Sequence, residues 1–308
     1  MYLYKNNNKK LNSVKEENFK LEKEIQIICE NNLEDIFNLE FVKTEFSLQN
    51  FRIDTLAFNK ETSSFVIIEY KKVKNYSVID QGLSYLSLML NNKSDFIIEY
   101  NESLSKSLKR SDVDWSQSLV IFISPQFSVF QKESINFKNL PIELWEIKKY
   151  ENNLISFNKL SAHNPTETLE TITKGSLNTK DKEVLQELKV YTENDHLKDK
   201  SEEIIELYEK IKEGVLNIDE NINIKANKRY ISFSKNNKIF LSVAVLISKL
   251  KLWINLKQGE LDDGKHISKD VSSLGHLASG DYEINIFDAK NLEYILSLIK
   301  QGYNKYLN

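Results

Sequence analysis

Cysteine, proline and glycine are all scarce in this chain. Of its 308 residues, one is cysteine, three are proline and eight are glycine. A single cysteine, Cys29, excludes an intramolecular disulfide, and its place in an apolar helical pattern predicts a buried side chain. The few glycines lack the spacing of a dinucleotide-binding loop, a P-loop or a nucleophile elbow, so these three motifs are excluded.

Long apolar runs and a dominant charge are also missing. No stretch approaches a signal-peptide core or the roughly 20 apolar residues of a membrane-spanning helix. A formal net charge of −3, from 42 basic and 45 acidic residues, excludes a uniformly basic nucleic-acid coat but permits a local basic patch. We therefore expect a soluble, cytoplasmic protein with no membrane partner, and the 41% hydrophobic content supports real cores.

What the sequence does contain is a charged hairpin, FRIDTLAFNKETSSFVIIEYKK, at residues 51–72. Two runs rich in β-branched and aromatic residues flank the polar loop NKETSS, which predicts antiparallel strands. If Phe58 pairs with Phe65, then Asp54 faces Glu69 and their side chains share one face of the sheet. The opposite face is predicted to carry Ile53, Ala57, Val66 and Ile68.

Two carboxylates in such a place require compensation. Ionised groups that lose hydration cost several kcal/mol each unless a partner offsets that loss. A divalent cation beside Asp54 and Glu69 is one such partner, and Lys71 lies on the same predicted face. The other interpretation is a salt-bridged strand end in which Lys71 and Arg52 neutralise the two carboxylates. The hairpin alone leaves both open.

Helical patterns flank the hairpin on both sides. Residues 16–37 predict an amphipathic helix, and its periodicity does not decide between Glu22 and Glu24 as the carboxylate that faces the hairpin. After the hairpin, a second helix places Gln81 and Tyr85 one turn apart on the same face. The apolar stripe of the first helix is predicted at Leu21, Ile25, Ile28, Asn32 and Ile36.

The rest of the chain predicts two domains. Residues 1–160 form the first, with further strands expected at 41–48, 95–100 and 118–124 and a β-rich segment at 141–150. Polar residues dominate 161–200, which we interpret as a linker. Residues 201–308 predict a small α+β domain. In that domain Trp253, with Lys249, Lys251 and Lys257, is either a core tryptophan beneath solvated lysines or a basic aromatic surface for nucleic acid.

The order helix, strand, strand, strand, helix, strand resembles the PD-(D/E)XK nuclease superfamily over about residues 16–150. The motifs that carry the resemblance are Asp54, the run Glu69-Tyr70-Lys71, and the spacing Gln81-x-x-x-Tyr85; Ile53 stands where proline often precedes the aspartate. The resemblance implies an α/β fold with a restriction-endonuclease-like αβββαβ core, in which helices flank a mixed central sheet. The C-terminal half resembles a bacterial domain of unknown function that is found fused to such nucleases.

The resemblance also implies roles for particular residues. Asp54 and Glu69 would be the acidic pair, Lys71 the catalytic lysine, and Gln81 with Tyr85 the accompanying helix motif. Glu22 would be the third metal ligand, because EKEI matches the family pattern there, with Glu24 as the fallback. These residues imply a Mg²⁺-dependent endonuclease, in which Mn²⁺ substitutes, acting on nucleic acid and more specifically DNA.

Other functions and assemblies stay open from the sequence. A homo-oligomer is compatible with the sequence. The alternative function is a non-catalytic nucleic-acid-binding or protein-interaction module that retains the nuclease fold. In a third reading, the C-terminal half senses a ligand and gates the nuclease.

Overall fold

The structure is a computed structural model that describes residues 3–72, 77–135, 140–160, 188–189, 191–274 and 278–306. The chain divides into two units, Met1–Lys189 and Val190–Asn308. In the described parts of the chain, no helix has the length and apolar character needed to cross a bilayer.

A seven-stranded mixed sheet organises the N-terminal unit. Its strands are β3 (Glu16–Glu17), β4 (Glu40–Leu48), β5 (Phe51–Asn59), β6 (Ser64–Tyr70), β7 (Leu119–Ser124), β8 (Ile142–Tyr150) and β9 (Leu154–Leu160), and a separate hairpin, β1 (Tyr4–Asn7) with β2 (Lys10–Ser13), precedes them. The order is β3-β8-β7-β6-β5-β4, with β9 paired to β8. β4, β5 and β6 are antiparallel, whereas β6, β7 and β8 are parallel.

Helices cover both faces of this sheet. They are α1 (Glu22–Glu30), α2 (Leu33–Phe37), α3 (Val78–Asn91), α4 (Lys93–Leu104) and α5 (Val129–Ser134), with one-turn 3₁₀ helices at Arg110–Asp112, Trp115–Gln117 and Glu151–Asn153. One buried core joins the sheet to α1 and α2, and a second joins it to α3 and α4. The order α1, β4, β5, β6, α3, β7 is the predicted αβββαβ core of the restriction-endonuclease-like fold.

The hairpin register is confirmed where the strands pair regularly. Phe58 lies opposite Phe65, and Thr55 opposite Ile68 is the last regular pair. At the next position the Asp54 side chain accepts the backbone N–H of Tyr70 at 2.9 Å, so the ladder gives way to a side-chain contact. The strands therefore open at the end that carries the acidic residues.

The prediction for the opposite face holds for Ala57, Val66 and Ile68, which pack in the core beneath α1 and α2. It is wrong for Ile53, which packs in the core beneath α3 and α4. The pairing of β4 with β5 skips Asp54 and its neighbour Glu45, whose φ of 50° lies in the left-handed region. This irregularity breaks the strict alternation of side chains that the prediction assumed.

The strand predicted at residues 95–100 is wrong, because α4 occupies that stretch. Phe96 and Tyr100 are buried four residues apart, whereas Ile98 between them is 53% exposed. A spacing of four places two side chains on one helical face, and a buried strand of the same length would have hidden every second residue.

The helix predicted over residues 16–37 is shorter and broken. The chain forms β3 first, then α1 and α2. The buried stripe is Ile25, Gln26, Cys29, Leu33 and Phe37, while Leu21 is 66% exposed. The burial of Cys29 is confirmed, and desolvation raises the pKa of its thiol.

The C-terminal unit is a second α+β body. Its strands are β10 (Asn223–Ala226), β11 (Ile231–Lys235), β12 (Lys238–Val245), β13 (Leu250–Ile254), β14 (Lys269–Asp270) and β15 (Tyr282–Ile286), and its helices are α6 (Glu193–Leu197), α7 (Glu202–Leu216) and α8 (Leu292–Asn304). The strands form one antiparallel sheet in the order β10-β11-β12-β13-β15-β14. α7 and α8 pack on one face of it.

The predicted linker and the two interpretations of Trp253 can be compared with the structure. Residues 161–187 and 190 of the predicted linker lie outside the described residues, and α6 falls within the rest of that stretch. Trp253 is 2% exposed, and Lys251 pairs with Glu283 at 3.2 Å. Trp253 is therefore a core residue and offers no surface on which a base could stack.

Candidate functional site

Glu69 lies at the centre of a hydrogen-bonded cluster at the end of β6. Its side chain is 3% exposed, and three donors converge on its carboxylate. Lys71 Nζ donates to Oε1 at 2.6 Å, Gln81 Nε2 donates to Oε1 at 3.0 Å, and the Tyr85 hydroxyl donates to Oε2 at 3.0 Å. These bonds hold the carboxylate of Glu69 in one orientation.

Helix α3 places the two neutral donors. The Ser77 hydroxyl caps its start by accepting the N–H of Asp80 at 3.2 Å, and Gln81 and Tyr85 follow one turn apart. Gln81 Nε2 also lies 3.2 Å from the Tyr85 hydroxyl, so the pair is cross-linked. Burial, reinforced by the charge of Glu69, raises the pKa of Tyr85, so its hydroxyl stays protonated and available as a donor.

Asp54 is the second carboxylate of the site. It is half-buried, and its Oδ2 accepts the Tyr70 N–H. Burial first and the charge of Glu69 second raise the pKa of Asp54 to about 6, against the opposing effects of the Tyr70 hydrogen bond and Lys71. Asp54, Glu69 and Lys71 therefore share one electrostatic environment. The β5–β6 ladder does not include an Asp54–Glu69 pair, so their direct pairing stays a prediction.

The salt-bridge interpretation of the hairpin is correct for only one of its two cations. Lys71 pairs with Glu69, but Arg52 pairs with Glu45 at 2.6 Å on the exposed side of β5. Arg52 therefore neutralises neither carboxylate of the site, and Lys71 is the basic partner of the pair.

Glu22 and Glu24 separate clearly in the structure. Glu22 Oε1 accepts the N–H of Lys72 at 2.7 Å, and its charge contributes to the raised pKa of Asp54. Glu24 instead pairs with Lys149 at 2.8 Å, and that bond lowers the pKa of Glu24. The start of α1 thus brings Glu22 to the site side, while Glu24 is held by β8.

Part or all of the chain is similar to known proteins. A protein of Haemophilus influenzae described as uncharacterized is 49% identical over 304 residues, which cover 98% of this chain and 99% of that protein. The chain belongs to the same family. Residues 193–305 match the family model of a domain of unknown function, DUF5655, which confirms the resemblance predicted for the C-terminal half.

Two solved structures also share similarity with part of the chain. A crystal structure of a repair endonuclease from Pyrococcus abyssi is 14% identical, covering 43% of this chain and 49% of its own, with a TM-score of 0.26. A complex of EndoMS with double-stranded DNA is 15% identical, covering 42% and 47%, with a TM-score of 0.29. The chain spans about half the length of these structures, and at such scores the fold assignment rests on the strand order described above.

The donor set of the site fits a hard divalent cation. Mg²⁺ prefers oxygen ligands, and Asp54 and Glu69 provide two partly desolvated carboxylates whose mutual repulsion a cation would relieve. Within the described residues, no group of three or more His, Cys, Asp or Glu is arranged to hold a metal. The structure thus offers two carboxylates, and Glu22 as a third ligand stays a prediction.

Sequence reasoning missed the polar support behind Asp54. Gln26 on α1 is 5% exposed, and its Nε2 donates to the backbone carbonyl of Asp54 at 2.9 Å and to Glu30 Oε1 at 2.9 Å. The Thr55 hydroxyl donates to the same Glu30 oxygen at 2.6 Å. The i, i+4 spacing of Gln26 and Glu30 is the signal in the sequence that could have indicated this pair.

Proposed function

We propose that this protein is a metal-dependent DNA endonuclease whose catalytic centre is formed by Asp54, Glu69 and Lys71. The observation that carries the proposal is the cluster around Glu69: a buried carboxylate held by Lys71, Gln81 and Tyr85, beside a second carboxylate with a raised pKa. A carboxylate with a raised pKa, grouped with a second, buried carboxylate and a lysine, is typical of catalytic sites.

Each side chain has a distinct part in this proposal. Asp54 and Glu69 would hold Mg²⁺, with Mn²⁺ as a substitute. The ion, when bound, lowers the pKa of a coordinated water and neutralises charge that develops on the phosphate. Lys71 stabilises negative charge on the reacting phosphate and orients the attacking water. Gln81 and Tyr85 are positioning residues, because they act through Glu69.

The direct test is cleavage of branched, mismatched, single-stranded and duplex DNA in Mg²⁺ or Mn²⁺. Asp54→Asn and Lys71→Ala should each lower the rate by about 100-fold or more, the usual effect of removing one group that stabilises transition-state charge. Lys60→Ala is the matched control, since Lys60 is exposed in the turn at the far end of the hairpin. Equal rates for wild type and both site variants would reject the assignment.

A non-catalytic DNA-binding module is the second candidate. The observation in its favour is that protein donors already engage both oxygens of Glu69, so this carboxylate is satisfied by its own fold. A Mn²⁺ titration followed by thermal unfolding separates the two. A melting temperature that rises in wild type and stays constant in Asp54→Asn supports the nuclease, and no rise in either supports the binding module.

A further inference from the structure

A cleft of about 350 Å³ lies at the carboxyl ends of the parallel strands, and the residue that follows Lys71 of the candidate site, Lys72, is part of its wall. Lys72 lines it directly after Lys71 in the chain, Pro125 and Gln126 line it just beyond β7, and Lys148 and Lys149 line it from β8. In open α/β sheets, ligands bind in the crevice beyond the carboxyl ends of the strands. The cleft therefore has the position expected for the part of a substrate that flanks the reacting bond.

Two lysines of the cleft wall form ion pairs with glutamates, and a phosphate could take the place of a carboxylate in such a pair. Lys148 pairs with Glu16 at 2.7 Å, and Lys149 lies 2.8 Å from Glu24 and 3.9 Å from Glu17. The Glu16 and Glu17 side chains are each 48% exposed. Exposed pairs of this kind contribute only about 0–1 kcal/mol, so a phosphate could replace the carboxylate at little cost.

Lys72 differs from the other two lysines of the cleft. Its Nζ donates to the carbonyl oxygen of Lys20 at 2.7 Å, and its backbone N–H donates to Glu22. Because the backbone carbonyl of Lys20 carries no net charge, this hydrogen bond does not neutralise the ammonium group of Lys72. The wall thus carries three lysines and two carboxylates, Glu16 and Glu17, while Glu24 is the close partner of Lys149.

We propose that this cleft binds backbone phosphates of the DNA strand on one side of the bond to be cleaved, and that Glu16 and Glu17 occupy the phosphate positions until DNA arrives. The inference rests on the proposed nuclease function and names where its substrate lies. Lys148 and Lys149 bind the phosphates, and the acidic edge strand β3 competes with them. Removing lysine charge and removing glutamate charge should therefore have opposite effects on affinity.

The experiment measures binding of a fluorescently labelled DNA oligonucleotide, single-stranded and duplex, by anisotropy in EDTA. Lys148→Gln combined with Lys149→Gln should weaken binding by roughly 10-fold and reduce the slope of log affinity against log salt by about 1 for each lysine. Glu16→Gln combined with Glu17→Gln should tighten binding by about 3-fold or more. Circular dichroism and melting temperature confirm that each variant is folded.

Two controls separate the cleft from overall charge. Lys60→Gln and Glu102→Gln each change one charge of the same sign, half the change of the double variants, at exposed positions outside the cleft, and both should leave binding within about 2-fold of wild type. If Lys60→Gln weakens binding as much as the cleft lysines do, or if the glutamate variants do not tighten it, the cleft assignment is overturned.

The outcome also distinguishes this inference from the nuclease proposal. A wild-type protein that cleaves DNA, with affinities unchanged in all cleft variants, would leave the nuclease intact and reject the cleft. Opposite shifts in the two sets of variants, from a wild type that cleaves no DNA in any metal, would support the cleft and reject the nuclease.

Discussion

At the residue scale, Asp54 lies where its burial and its repulsion by Glu69 both disfavour ionisation. Three donors compensate Glu69, but the hydrogen bond from Tyr70 only partly offsets the effect on Asp54, whose pKa stays at about 6. A residue that destabilises the fold in its ionised form needs another reason to be present, and metal binding is the reason we propose.

Replacing Asp54 with Asn should stabilise the metal-free protein at neutral pH. Between the ordinary pKa of 3.8 and the folded value of about 6, the folded protein binds more protons than the unfolded chain. The free energy of unfolding of wild type therefore falls as pH rises through this window. The free energy of unfolding of Asp54→Asn does not show this fall, because asparagine has no carboxyl group to ionise. In urea unfolding with EDTA, we expect Asp54→Asn to be about 1–3 kcal/mol more stable near pH 7.5 and equal to wild type near pH 3.5.

Metal provides the control for that measurement. Mg²⁺ should raise the unfolding midpoint of wild type and leave that of Asp54→Asn unchanged, because the variant lacks one of the two carboxylates. If the variant is less stable than wild type at every pH, then Asp54 stabilises the folded protein through its hydrogen bond with Tyr70, and the prediction is wrong.

Tyr85→Phe isolates the helix donor to Glu69. The ring and its packing are kept, while the hydroxyl loses its 3.0 Å hydrogen bond to Oε2 of Glu69 and no longer accepts from Gln81 at 3.2 Å. Loss of a group that orients a metal ligand typically costs 10–100-fold in metal affinity or activity, so the Mg²⁺ concentration for half-maximal cleavage should rise by about that factor. Tyr100→Phe removes a similar hydroxyl that donates to Glu40, and it should not change the metal requirement.

The sequence predicted the acidic pair, the lysine and the helix donors, because their spacing depends only on strand and helix periods. It did not predict Gln26 behind Asp54, nor that Arg52 would turn to Glu45. Both depend on which of several neighbouring polar groups a side chain reaches in space, and periodicity does not carry that information.

At the element scale, α3 lies close against the sheet through Gly82. A Cβ added there would lie 2.4 Å from Ile142 Cδ1 and 3.0 Å from its Cγ1. This approach brings Gln81, the preceding residue, to Glu69. The distance between one helix and one strand thus sets the geometry of the whole cluster.

Gly82→Ala should therefore affect cleavage more than stability. Overpacking costs about 1–3 kcal/mol, but the better helix propensity of alanine offsets about 1 kcal/mol of this, so we expect a net destabilisation of about 0–2 kcal/mol. Movement of α3 away from β8 would draw Gln81 and Tyr85 from Glu69 and lower the rate of Mg²⁺-dependent cleavage. Ser84→Ala, on the exposed side of α3, should change neither quantity appreciably.

Errors at this scale came from short apolar runs. The sequence around Phe96 reads equally well as a strand, and the exposure of Ile98 between the buried Phe96 and Tyr100 shows the helical period. The first helix was predicted too long because Leu21 and Ile36 match the 3.6-residue period, although the chain turns between Glu30 and Leu33. Local pattern therefore predicted β5, β6 and α3 around the candidate site and failed where several conformations bury similar surface.

At the scale of the whole molecule, each unit has cores made from its own residues. The C-terminal core joins α7 and α8 to the antiparallel sheet, and the family match of residues 193–305 lies within this unit. The two-domain organisation was predicted from the fading of the apolar pattern. The start of the second domain was placed at residue 201, whereas the unit begins at Val190, because α6 is too short to give a periodic signal.

A fragment of residues 190–308 should fold alone. Its buried residues pack on one another, so its thermal unfolding should be cooperative and should overlay the matching transition of the full chain. A fragment without secondary structure by circular dichroism would show that the unit depends on the rest of the protein. Equal cleavage rates by residues 1–189 and by the full chain would argue against gating by the C-terminal unit.

The buried position of Trp253 gives each unit its own optical signal. The chain has three tryptophans: Trp115 and Trp145 belong to the N-terminal unit, and Trp253, at 2% exposure, is the one in the C-terminal unit. In a protein with Trp115→Phe and Trp145→Phe, all indole emission would come from Trp253. The temperature at which that emission shifts to the red would then report unfolding of the C-terminal core, independently of unfolding around Asp54 and Glu69.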